Sequence, residues 1–352
     1  MCASKLRLTS ERGSRAHCGG LEVETHLDGE APLPSPDQRH ISLVADLIRE
    51  GAVVPFLGAG ANLSDRPDGA PWKLGQFLPN GSELAGVLAE HSRYPVEGDA
   101  DLMRVSQYVD AVLGEGRLYH YLRAVLDADY PPNSVHVFLA SLPRLLREQG
   151  SPQPLILTTN YDDLLERALD AQGEQYDLVW YEAKRGSLRG TFLHRSPGGD
   201  AVPIERPNEY ADLSPTERTV ILKLHGAVNR DDARRDSYVI TEDNYIDYLS
   251  QGDISSQIPM TVRERLGDSH FLFLGYSMRD WNLRVILNRI WGQQALDLKS
   301  WAVQRQPAVD AAREIEETLW RDRGDVDLLY VPLREYVARL TGEVFGATAA
   351  EP

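Results

Sequence analysis

The chain has 352 residues, enough for one large domain or two moderate ones, and carries 37 Lys and Arg against 53 Asp and Glu for a formal net charge of −16. That balance argues against sequence-independent binding to nucleic acid or to an anionic membrane surface as a global property. The cysteines, Cys2 and Cys18, both lie in the N-terminal tail, so the body of the chain can build neither a disulfide framework nor a cysteine-rich zinc site. No apolar run approaches the roughly 20 residues that span a bilayer, and the basic N-terminus lacks the apolar block of a secretory signal. The expectation is a soluble cytoplasmic protein.

Residues 1–37 are polar, lack periodicity and close on Pro32-Leu33-Pro34-Ser35-Pro36, the composition of a disordered leader. Ile41, Val44, Ala45 and Ile48 then recur at helical spacing, with Gly51 as the residue that ends the helix. A short apolar strand, Val53–Leu57, runs into Gly58-Ala59-Gly60-Ala61-Asn62. Two glycines one residue apart at a strand end suit a phosphate, because such a turn exposes backbone N–H groups. Leu63 stands where a G-x-G-x-x-G fingerprint has its third glycine, and no Gly-Lys-Ser/Thr phosphate loop occurs. A strand-end turn that binds nothing is the competing reading.

Residues 63–100, rich in Gly, Pro, Asp and Asn, read as a long irregular connection, with Trp72 either anchoring it or packing over a ligand. From Leu102 to Arg147 the pattern is helical, broken by Pro131-Pro132, with Ser134 as the expected cap of the last helix and His136 as a structural histidine. The second half alternates strands (155–158, 220–224, 238–240, 271–274, 301–304, 327–331) with helices, two of them marked by Leu164, Leu165, Ala168, Leu169 and by Leu283, Ile286, Leu287, Ile290. Residues 182–218 read as a surface insertion. The expected fold is α/β: a Rossmann-like parallel sheet over 38–345, with a loop and a small helical subdomain inserted at 63–150, no zinc module, and a tail at 346–352.

Three strand ends break an apolar run with small or polar residues, where open α/β sheets bind ligands. They are the glycine turn, Thr158-Thr159-Asn160-Tyr161-Asp162-Asp163-Leu164, and Lys223-Leu224-His225-Gly226. Each has a plain structural account: Asn160 shapes a turn, Asp162 or Asp163 caps a helix, and a lone histidine is satisfied in the core.

Gly-Ala-Gly, then Thr-x-Asn-x-Asp-x-Leu, then His-Gly, in that order, resembles the sirtuin (silent information regulator) family from about Gly51 to about Leu340. Phe271–Asp280 looks like the late glycine-serine strand end that holds the adenosine part of NAD, although Ser277 and Asp280 also have capping-box spacing. The four-cysteine zinc module of deacylating sirtuins is replaced here by Ala227–Gly252, and their Pro-x-Phe-Arg stretch by Asn62-Leu63-Ser64-Asp65-Arg66-Pro67. The pattern is closer to the bacterial sirtuin-like effectors, including Val239-Ile240-Thr241-Glu242-Asp243-Asn244-Tyr245.

That resemblance implies hydrolysis of NAD to nicotinamide and ADP-ribose in antiphage defence. It implies Asn160, His225 and Asp162 as catalytic residues. NAD, as substrate, would be held by Gly58, Ala59, Gly60, Asn62, Thr159, Gly275, Tyr276, Ser277 and Asp280, with no metal. Cleaving the nicotinamide–ribose bond develops oxocarbenium character, so water must be placed opposite the leaving group. Asn160 would position water or ribose, His225 would accept a proton with a near-neutral pKa, and Asp162 would orient the ribose or Asn160. The alternatives are a regulatory subunit that senses NAD or ADP-ribose without turnover, and a protein deacylase or ADP-ribosyltransferase. Expected partners are further copies of the chain and an ATPase of the hexameric translocase type, with the leader and 308–340 either contact surfaces or core; no membrane or direct nucleic-acid contact is expected.

Overall fold

The structure, a computed structural model, describes residues 35–95, 101–250, 254–276, 287, 298–306, 310–324 and 326–346. Residues 1–34 and most of the helix expected at 283–290 lie outside the described residues. Helix α1 (Pro36–Arg49) begins inside the stretch read as leader: Ser35 Oγ accepts from the Gln38 amide, and Pro36 occupies the first turn, where its missing N–H is not needed. Gly51 closes it at φ 68°, and strand β1 (Val53–Leu57) follows, buried throughout.

β1 lies inside a nine-stranded sheet of order β11-β10-β9-β1-β2-β6-β3-β4-β5. The strands are β2 (Leu155–Thr158), β3 (Tyr176–Tyr181), β4 (Phe192–Arg195), β5 (Ala201–Pro203), β6 (Thr219–Lys223), β9 (His270–Leu274), β10 (Ser300–Val303) and β11 (Val326–Leu329). From β11 to β3 every pairing is parallel. The chain leaves β1 for β2 on one side and later returns as β9 on the other, which opens a crevice at the carboxyl end of β1. Along β1 the ladder to β9 runs all five residues, whereas that to β2 holds only Phe56 and Leu57. Pro55 explains the difference: Leu57, two residues on, faces β2 through its carbonyl, so Pro55 faces β2 as well, and it has no N–H to give.

Helices cover both faces. One face packs Val53, Leu57, Ile156, Ile221 and Leu272 against α1, α5 (Ser134–Gln149), α6 (Leu164–Ala171) and α10 (Leu333–Phe345). The other packs Phe56, Leu157, Leu222 and Phe273 against α7 (Glu242–Ser250), α8 (Met260–Gly267) and α9 (Asp310–Gly324). A third cluster joins α2 (Gly81–Ser92), α3 (Leu102–Leu113) and α4 (Glu115–Leu126) to Leu164 and Tyr238, so the inserted helical unit docks beside the strand ends.

Four expectations need correction. Residues 63–100 hold α2, which starts through a capping box between Asn80 and Glu83; the run Pro79-Asn80-Gly81 is a helix start rather than a turn. The cap of α5 is Asn133, whose side chain accepts from the Val135 and His136 amides, while Ser134 donates its own amide and hydroxyl to Asp65. Residues 182–218 supply two antiparallel edge strands, β4 and β5, with Phe192, Leu193, Ile204 and Leu213 buried. Finally, 238–240 does not join the main sheet: β8 (Ser237–Tyr238) pairs with β7 (Gly226–Ala227) in a separate ribbon beyond β6. No helix among the described residues is long and apolar enough to cross a membrane.

Candidate active site at the strand ends

Beyond β1 the chain enters a 3-10 turn, Ala59–Leu63. Gly58 N–H donates to the Leu274 carbonyl (3.1 Å) and Gly60 N–H to the Gly275 carbonyl (2.9 Å). Two of the amides expected to face a phosphate are therefore engaged by the end of β9. The glycines are needed for this close approach. Gly275 sits at φ 69°, and a Cβ there would meet the Ala61 nitrogen at 2.1 Å; a Cβ on Gly60 would meet the Gly275 carbonyl at 2.5 Å. Tyr276 then lies over Gly58 and brings its hydroxyl to 2.6 Å from Thr159 Oγ1, crossing from β9 to β2 over the end of β1. Of the residues assigned to the dinucleotide, Ser277 and Asp280 lie outside the described residues.

Beyond β2 the turn is built from side-chain to backbone bonds. Thr158 Oγ1 donates to the Leu57 carbonyl and accepts from the Asn160 amide. Asn160 Nδ2 donates to the Gly58 carbonyl at 3.1 Å and lies 3.5 Å from Asn62 Oδ1. Asn62 Nδ2 donates to Asp162 Oδ2 at 2.7 Å, and Asp162 Oδ1 accepts from the Leu164 amide. Asn62, Asn160 and Asp162 thus form one bonded group with the glycine turn. Asp162 is buried, and its carboxylate holds Asn62 and the first turn of α6; Asp163, at the N-cap, pairs with Arg230 instead.

Beyond β6, His225 is buried, and its ring meets those of Tyr245 and Tyr248 edge-on, each at 5.5 Å between centroids. Its carbonyl accepts from the Val239 amide, while Nε2 is buried without a hydrogen-bond partner among the described residues. Gly226 follows at φ 91°, where a Cβ would meet the Ser237 carbonyl oxygen at 2.1 Å, so the sharp turn after the histidine depends on glycine. Burial pushes the imidazole pKa down to about 3 rather than leaving it near neutrality. The ring is neutral at pH 7, as a general base must be. In this buried setting it is a weak one; solvation, or the negative charge of a bound phosphate, would strengthen it.

Thr158 and Lys223 are paired in register, so Asn160 and His225 each lie two residues beyond the same level of adjacent strands. A cavity of about 110 Å³ opens beside the turn, lined by Asn62, Asp65, Arg66, Asn133, Tyr130 and Leu164 among others. A larger one, about 470 Å³, lies at the start of β3 around Tyr176 and Arg195. His136 is buried, as expected of a structural histidine, and its Nδ1 accepts from the Asn133 amide. The sequence pattern did not mark the aromatic pair around His225, nor the buried ion pair of Lys223 with Glu166. A lysine inside the otherwise apolar run of β6 was the available signal for the latter.

A parallel sheet covered on both faces, with polar turns at the switch point, defines a Rossmann-like α/β protein. Residues 154–324 match the SIR2-like domain family. The chain is 28% identical over 233 residues to a protein of Acinetobacter baumannii (strain 532279) named NAD(+) hydrolase ThsA, covering 66% of this chain and 38% of that protein. It is 26% identical over 232 residues to the protein of the same name from Cytobacillus dafuensis, covering 66% and 37%. It is 24% identical over 249 residues to defense-associated sirtuin 2 of Bacillus subtilis, covering 70% and 20%. The matched stretches thus span well under half of these relatives' own lengths.

Proposed function

We propose that the chain is an NAD glycohydrolase, releasing nicotinamide and ADP-ribose, and that it serves as an antiphage effector. The observation that carries this reading is the placement of Asn160 and His225 just past the same level of two adjacent parallel strands, beside the switch point at β1. The names of the relatives, NAD(+) hydrolase and defense-associated sirtuin, support the same reading. Asn160 would hold water or a ribose hydroxyl opposite the departing nicotinamide, and neutral His225 would take the proton as the oxocarbenium-like sugar is captured. Asp162 would act through Asn62 and the turn. The glycine turn can serve the pyrophosphate through Gly58 and Gly60 only if their amides leave the carbonyls of Leu274 and Gly275, so substrate entry involves shifting the Gly275-Tyr276 corner.

An enzyme that destroys NAD must be restrained in its host. The proposal therefore includes control by self-association or by a partner such as a hexameric translocase-type ATPase. Ile315 and Leu319 keep α9 available as a contact face, whereas Trp320 belongs to the core. The engaged amides and the buried imidazole also suit the second reading, a subunit that binds NAD or ADP-ribose without turnover. Calorimetry with NAD, followed by mass analysis of the mixture, separates the readings. Nicotinamide with free ADP-ribose supports hydrolysis. Binding without nicotinamide release supports the sensor, and an ADP-ribosyl adduct on protein supports a transferase.

A further inference from the structure

We propose that Lys223 is a positioning residue that ties the arm carrying His225 to the arm carrying Asn160; the assignment rests on reading these strand ends as an NAD-cleaving site. Lys223 is the last residue of β6, two before His225, and is only 1% exposed. Its ammonium donates to the backbone carbonyl of Asp162 and pairs with Glu166 Oε1 on α6 at 2.5 Å. Asp162 is the residue whose carboxylate takes Asn62 Nδ2 in front and the Leu164 amide behind. Lys223 therefore holds the turn from beneath, while Asn160 and Asn62 hold it against the glycine loop.

Stability alone is a poor reason for this arrangement. Removing two charges from water offsets most of their attraction, and an apolar pair of similar volume generally packs as well. An apolar pair cannot donate to the Asp162 carbonyl, however, and that bond is what fixes the turn relative to β6. Glu166 compensates the ammonium and orients it; burial raises the Glu166 pKa against the opposing pull of Lys223. His136 interacts electrostatically with Lys223, and Asp163 and Tyr176 with Glu166, so the buried lysine has a carboxylate beside its own partner.

The test is the double variant K223M/E166L in the full chain, which removes both charges together and strands neither. Amide hydrogen exchange over 159–164 is expected to accelerate at least tenfold, with β6 and α8 still protected. Turnover of NAD is expected to fall tenfold or more in kcat with KM within twofold. The variant K223Q/E166Q, which keeps a neutral donor, is expected to show intermediate protection and partial recovery of kcat; it carries the same comparison with wild type if the apolar pair does not fold. Unchanged exchange at 159–164, or kcat within twofold of wild type in K223M/E166L, would overturn the assignment. If wild type itself releases no nicotinamide, the NAD reading fails, and the exchange data alone decide whether Lys223 fixes the turn.

Discussion

The two arms of the site are held by opposite means. The Asn160 arm is a polar lattice in which Thr158, Asn160, Asn62 and Asp162 bond one another and the glycine turn. The His225 arm is aromatic and buried, its ring against Tyr245 and Tyr248 and its Nε2 without a partner among the described residues. A bonded lattice sets geometry and tolerates little change. A buried ring nitrogen without a partner among the described residues is a destabilising feature.

The strongest way to break the comparison is at the corner that backs the glycine turn and, through it, the Asn160 arm. Gly275→Ala places a Cβ 2.1 Å from the Ala61 nitrogen at a positive φ, and a loss of about 3 kcal/mol or more in unfolding free energy is expected by urea denaturation. Next, Asp162→Ala leaves Asn62 Nδ2 and the Leu164 amide without their acceptor; a loss of roughly 2 kcal/mol is expected by the same measurement, with turnover reduced.

The buried aromatic arm responds to acid instead. The His225 pKa is about 3 in the folded chain against an ordinary 6.5, so the unfolded chain binds the extra proton between these values. Its contribution to stability is complete above pH 6.5 and is lost as pH falls toward 3, at up to about 1.4 kcal/mol per pH unit. Buried His136, lowered to about 4, acts in the same direction. Glu182, raised to about 7 mainly by burial, acts in the opposite one: its protonated native form favours folding at low pH, an advantage lost as pH rises from 4.5 to 7. His225→Leu isolates the first contribution. Urea midpoints between pH 5 and 7 should depend less steeply on acid than in wild type, and at pH 7 the variant should be about 1 kcal/mol more stable, because a buried unsatisfied nitrogen is gone. The smallest effect is Tyr276→Phe, which removes the bond to Thr159; a loss of about 0.5–1 kcal/mol is expected.

Much of this fold was legible because parallel strands announce themselves as short apolar runs, and the ends at Gly58, Asn160 and His225 stand out as the places where such runs stop. The outer edge was less legible. In β4 the apolar Phe192-Leu193 pair is too short to stand out between glycines and charges, and the buried Asp177–His194 and Arg218 contacts that pin this edge have no local pattern. Within the site, the sequence pointed to the turn residues but not to their state. Gly-Ala-Gly suggests free amides, and only the return of β9 as a neighbour of β1 shows those of Gly58 and Gly60 engaged. A pKa near neutrality suits histidine in general, yet Tyr245 and Tyr248, distant in sequence, set the surroundings of His225.

The central claim is that both arms serve one reaction. Nicotinamide release from NAD, measured over time for wild type, Asn160→Ala and His225→Ala, tests it most directly. The expected result is release by wild type and a loss of at least 100-fold (about 2.7 kcal/mol) in each variant, with folding retained. Equal release by all three would contradict it.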